Sequence, residues 1–170
     1  GDPPMRLSYA ALSILLLGLA GPAWAVGLEL ILEGREAELA GRRDAALNAY
    51  AEAVQAGDLL DTQRAYAYSR MGAIRAYLGD NIKAIDEYSK ALQLNAKLGS
   101  AYTLRGYLRG VIGQYEAAEK DQQAALKLTK GQKADYAPWV LQHYADLWRR
   151  RGDFERALEY CARADRAGPR

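Results

Sequence analysis

A chain of 170 residues, 50% of them apolar and 26% charged, has enough material to bury a core and too little net charge to stay unfolded. Its 23 basic and 21 acidic side chains are spread along the whole length and leave a net charge of +2, which argues against a nucleic-acid partner. One Cys, one His and two Met exclude an intrachain disulfide framework and leave almost nothing to ligate a metal, so neither a metal nor a cofactor is expected.

Gly1 to Pro4 precede Met5 and have no counterpart in a natural start, so residues 1–4 read as a cloning remnant. From Met5 the chain runs through one positive charge at Arg6, an apolar stretch from Leu7 to Ala20, a Gly21-Pro22 breaker and Ala23-Trp24-Ala25. That is the pattern of a secretory signal peptide over 5–25, cut after Ala25. The apolar stretch is about 14 residues, short of the roughly 20 that cross a bilayer as a helix, so no stable membrane insertion is expected after cleavage. Residue Val26 would follow the cut and the one Cys is Cys161, which excludes lipidation of a mature N-terminal Cys. The expected location is periplasmic or secreted.

Beyond Val26, Gly41, Gly79, Gly113 and Gly152 recur at separations of 38, 34 and 39 residues. Each stands between two Ala/Leu-rich amphipathic stretches of helical period, about 12 to 16 residues long. The predicted helices are 28–40 and 44–56, 62–78 and 81–94, 98–112 and 115–128, then 135–151 and 154–167, with no strand. Asp44, Asn81 and Asp153 are placed to cap the second helix of their pairs.

A finer template has a Gly, a second Gly seven residues on, then Ala, an aromatic and Ala at steps of five, four and three. Gly34, Gly41, Ala46, Tyr50 and Ala53 meet it fully, as do Gly72, Gly79, Ala84, Tyr88 and Ala91. Gly106, Gly113, Ala118 and Ala125 meet it with Gln122 in the aromatic place. Gly152, Ala157 and Ala164 meet it with Ala145 and Cys161 in the other two. Small residues let helix axes approach, while Tyr50, Tyr77 and Tyr88 are expected to fill space where the layers separate.

On these residues the chain, from about 27 to 170, resembles the tetratricopeptide repeat family. The resemblance implies an all-α, right-handed superhelix (an αα-solenoid) of about four helix-turn-helix repeats. They would span 27–60, 65–98, 99–132 and 135–170, with insertions near 57–61 and 130–133. The Pro that often closes the family's unit is absent from every repeat.

The resemblance also implies function. In this family the first helix of each pair lines a concave groove that receives a peptide or helix of a partner. Projected here, the groove comprises Arg35, Tyr66, Ser69, Tyr77, Thr103, Tyr107, Trp139, Gln142 and Asp146, with Ile31, Ala73 and Ser100 beside them. The family's carboxylate-holding clamp is not reproduced at Ile31, Arg35, Arg70, Ser100 and Leu104.

No catalytic residue is expected. His143, between Trp139 and Trp148 in sequence, has no recognisable acid–base partner and reads as aromatic packing, the alternative being a place on a recognition surface. Cys161 reads as a small buried hydrophobe. Arg149, Arg150 and Arg151 read as cations favoured at a helix C-terminus, the alternative being an acidic partner's docking point. The last helix lacks a polar cap, so Leu158 and Tyr160 are expected to be partly uncovered. These readings converge on an exported bacterial adaptor or scaffold that binds an unidentified protein or peptide. The alternatives are a self-assembling homo-oligomer and an accessory subunit of an envelope enzyme or secretion complex.

Overall fold

The computed structural model describes residues 26–129 and 136–168; residues 1–4, read as a cloning remnant, residues 5–25, read as a signal peptide, and the insertion expected near 130–133 lie outside them. Eight helices and no strand occur among the described residues: α1 Val26–Leu39, α2 Arg43–Gln55, α3 Asp61–Tyr77, α4 Asn81–Leu94, α5 Gly99–Val111, α6 Tyr115–Leu128, α7 Tyr136–Arg151 and α8 Phe154–Ala167. Each bound lies within two residues of its prediction, because apolar period and glycine punctuation agree everywhere. They group into two compact units, one ending at Leu59 and one beginning at Leu60.

The turn inside every pair is built alike. At Gly79 the backbone reaches φ 82°, a left-handed conformation that glycine adopts without the clash of a Cβ. This lets the Asp80 N–H reach back to the Arg75 carbonyl at 2.9 Å and satisfy one of the free carbonyls ending α3. Arg42 to Ala37, Gln114 to Arg109 and Asp153 to Trp148 repeat that bond at 2.8, 2.8 and 2.9 Å. The helix caps differ from expectation. Asp153 accepts from the Arg156 N–H at 3.0 Å as predicted. Asp80, not Asn81, caps α4, and Asp44 falls within the first turn of α2 behind Arg42, which makes no side-chain cap. The capping position thus falls one residue before Asn81 and two before Asp44.

In the first unit α1 packs on α2 through Ile31, Gly34 and Ala37 against Ala46, Ala49, Tyr50 and Ala53. A Cβ on Gly34 would stand 2.9 Å from the Tyr50 ring, so glycine is what admits the aromatic. The Tyr50 hydroxyl donates to Glu38 at 3.2 Å. The Asp58 carboxylate accepts from the Gly27 N–H at 3.0 Å, closing the unit on the N-terminus of α1 where negative charge is favoured.

In the second unit each helix packs on the next, and α5 also packs on α7. One core cluster gathers Ala84, Tyr88, Leu92, Ala101 and Leu108. The other gathers Ala118, Tyr144, Leu147, Trp148 and Ala157. Between them Asp121, buried on α6, accepts a two-pronged bond from Arg105 at 2.9 and 2.7 Å and a third from Arg109 at 2.8 Å. Arg105 also donates to the Ser89 hydroxyl at 3.0 Å, which ties α4, α5 and α6 together.

Three expectations are corrected. Tyr77 does not fill a gap between layers, being 70% exposed at the end of α3. Cys161 is exposed, not buried, at the edge of the side of α8 that carries the buried Ala157 and Ala164. Ile31 is in the core of the first unit and cannot line a groove with its side chain.

Candidate peptide-binding face

Helix α7 carries Trp139, His143, Asp146 and Arg150 at steps of four, three and four, the spacing that aligns side chains along one helical stripe. Its approach to α5 is allowed by Gly110, whose missing Cβ would lie 3.1 Å from Leu147 Cδ1 and 3.9 Å from Arg150 Cδ. Tyr107 on α5 is thereby brought against the stripe. Its ring meets the His143 ring edge-on with centroids 5.6 Å apart, and the Trp139 ring is tilted against His143 with centroids 4.7 Å apart. His143 Nδ1 lies 2.8 Å from the Trp139 carbonyl oxygen. A carbonyl only accepts, so Nδ1 is the donor in this contact.

At the other end the Arg150 guanidinium lies over the Tyr107 ring, 5.3 Å from its centroid, and donates to the Tyr107 hydroxyl at 3.5 Å. Asp146 accepts from Arg150 at 2.5 Å and from Arg149 at 2.5 Å. Burial pushes the Asp146 carboxyl upward, but the hydrogen bonds from Arg150 and Arg149 outweigh it and hold the group below the usual carboxylate range. The same bond to Asp146 raises Arg150. The two ends therefore differ: half-buried aromatic rings at Tyr107, Trp139 and His143, and an ion pair at Asp146 and Arg150.

Of the projected groove residues, Tyr107, Trp139 and Asp146 converge here. Gln142 is exposed on the same helix, beside the stripe. Thr103 is taken out of the face: it is fully buried, its hydroxyl donates to the Gly99 carbonyl at 3.1 Å, and its own carbonyl accepts from Gln122 at 3.1 Å. Tyr66, Ser69 and Tyr77 run along α3, with Tyr66 41% exposed and Ser69 half-buried. Arg35 is exposed on α1, in the other compact unit.

From the sequence, packing is the favoured reading of His143 and helix-end charge that of Arg150, with a recognition surface and an acidic partner's docking point as the alternatives. The spacing of Trp139, His143, Asp146 and Arg150 carries the information, whereas the triple-arginine run drew attention to charge at a helix end. The other two arginines are engaged as well. Arg149 bonds to Asp146, and Arg151 pairs with Glu116 at 3.4 Å and lies over Trp148. Among the described residues no three His, Cys, Asp or Glu side chains gather as a metal site would need, and no helix is long and apolar enough to cross a membrane.

No family model matches the chain. A curated relative, the Photosystem I assembly protein Ycf3 of Acaryochloris marina (strain MBIC 11017), is 33% identical over 118 residues, 69% of this chain and 63% of the relative. The chain thus spans less than two thirds of that protein's length. Among solved structures, BtubC (BKLC) from P. vanneervenii superposes with a TM-score of 0.81 at 19% identity, over 93% of this chain and 69% of that one. YrrB, a TPR protein with an unusual peptide-binding site, superposes with a TM-score of 0.71 at 15% identity, over 91% and 72%. At such identities the likeness speaks for architecture, and together with the eight paired helices it establishes an all-α, tetratricopeptide-type solenoid fold.

Proposed function

We propose that this chain is an exported adaptor that docks an extended or helical segment of another protein on the α5–α7 face, making and breaking no covalent bond. The convergence of Tyr107 and Trp139 on His143 carries the reading. It presents three half-buried rings in a row, broad apolar contact with polar edges and few rotors to freeze on binding. Asp146 offsets one of the two arginines it binds, and the three rings make up the rest of the face, so the ligand segment is expected to be apolar or aromatic with at most modest acidity. The peptide-binding site of YrrB supports the reading. The name of the relative Ycf3, an assembly protein, supports a role in bringing subunits of a complex together. Export rests on the 5–25 pattern alone.

Selection of a displayed peptide library on the purified chain tests the docking face. Enriched peptides should bind the parent and lose at least tenfold in affinity for Tyr107→Ala/Trp139→Ala, with helical content unchanged. Peptides that bind both forms equally would place recognition elsewhere. Export is tested separately, by fractionating producing cells and sequencing the N-terminus of the recovered protein; a mature chain beginning at Val26 is the expected result.

A further inference from the structure

We infer that the outer face of α8 is a self-complementary surface on which a second copy of this chain packs, antiparallel. One side of α8 is spent inward: Ala157 and Ala164 are buried, and Tyr160 lies against Tyr144 with ring centroids 4.2 Å apart. The side of α8 that flanks this buried edge presents a stripe of Phe154, Leu158, Cys161 and Ala162, all exposed, Phe154 by 66% and Leu158 by 71%. Large apolar side chains clustered on one exposed helix face mark an interaction surface.

The charges beside the stripe select the occupant. Arg156 is engaged by Asp153 at 3.3 Å and by the Trp148 ring, and Arg163 by Glu159 at 3.8 Å and by the Tyr160 ring. Glu155 and Arg166 are exposed and have no ion-pair partner among the described residues. They flank the same edge of the stripe, one near each end of the helix. Rotation about a two-fold axis near residues Tyr160 and Cys161 sets Glu155 of one copy against Arg166 of the other, and the reverse, so both pairs form at once. The same rotation lays Leu158 on Cys161 and Ala162 of the second copy. A parallel arrangement would oppose Glu155 to Glu155 and align the helix dipoles unfavourably. Asp165 ends the stripe and limits its length. The helix is about 21 Å long at 1.5 Å per residue, so the contact is at the small end of interface sizes and the dimer should be reversible.

The experiment is sedimentation of the whole chain over a wide concentration range at low ionic strength. The expected result is a reversible shift from 18.7 kDa toward twice that mass. Leu158→Arg should abolish the shift without changing the melting curve, since the side chain it replaces is exposed. Glu155→Arg should weaken the dimer at least tenfold, and adding Arg166→Glu should restore it, because the swap re-forms both pairs with reversed sign. A short bis-maleimide should couple Cys161 to Cys161 in the parent and not in Leu158→Arg. Monomer at every concentration overturns the proposal, as does a dimer indifferent to Leu158→Arg; failure of the charge swap to rescue overturns the antiparallel register.

Discussion

The methyl group absent at Gly34 is the space Tyr50 occupies, and the same trade is made in the next two pairs with different residues. Gly72 admits Tyr88, with a Cβ 3.1 Å from its ring; Gly106 admits Gln122, with a Cβ 2.9 Å from its amide nitrogen. In the fourth pair Ala145 stands in the glycine's place, but the aromatic's place holds Cys161, which is exposed, so no such trade is made there. Gly34→Ala should therefore destabilise by about 1–3 kcal/mol through overpacking, although alanine is about 1 kcal/mol the better helix former. Urea unfolding of Gly34→Ala, Tyr50→Ala and the double variant checks this: in the Tyr50→Ala background the alanine should cost nothing or help, a coupling that independent sites would not show. The same burial acts on the phenols. Burial pushes Tyr88 up to about 12 from 10.0. A folded pKa above the unfolded one means stability that is complete below pH 10 and is lost as pH rises through about 12. Alkaline unfolding of Tyr88→Phe should lack that share of the loss, measured as a smaller fall in urea midpoint between pH 10 and 12 than the parent shows.

At the scale of helices, what joins α4, α5 and α6 is partly a charge cluster that a period of apolar residues does not reveal. Asp121 follows Lys120 and precedes two glutamines, a local pattern typical of a solvated face, yet its carboxylate is buried and holds two arginines from α5. Asp121→Asn leaves both guanidiniums short of their counter-charge and should cost about 3 kcal/mol by urea unfolding. Arg64→Gln, in an exposed pair with Asp61, should cost less than about 1 kcal/mol. A pair on α7 makes a pH prediction. The folded pKa of Asp146 is depressed, so its contribution is present above the ordinary carboxylate value and is lost as pH falls through the folded value. Stability curves of the parent and Asp146→Asn should therefore be separated at neutral pH and converge in acid, below the usual range for Asp. Helix positions were legible because glycine, alanine and aromatic places repeat along the chain. Asp121 and Arg150 were not, because each is defined by neighbours on other helices. Thr103 was misplaced for a related reason: alternation along α5 puts it on the groove side, but Gln122, standing where other pairs have Tyr, comes close enough to bury it.

Across the whole chain, the residues that make the candidate face all belong to the unit beginning at Leu60. That unit holds both core clusters, the Asp121 network and every projected groove residue except Arg35. Its helices bury Tyr88, Tyr144, Val140 and Leu147 against one another, which is apolar surface enough to expect cooperative folding from residues 60–170 alone. A fragment of that span should give a helical circular dichroism spectrum and one thermal transition, and should retain the peptides selected on the parent within a few-fold in affinity. Loss of cooperative melting would mean the first unit is needed for folding. Cooperative melting with affinity lost tenfold or more would instead assign Arg35 and its unit a share in recognition, and Arg35→Ala in the full chain should then reproduce that loss without touching the melt.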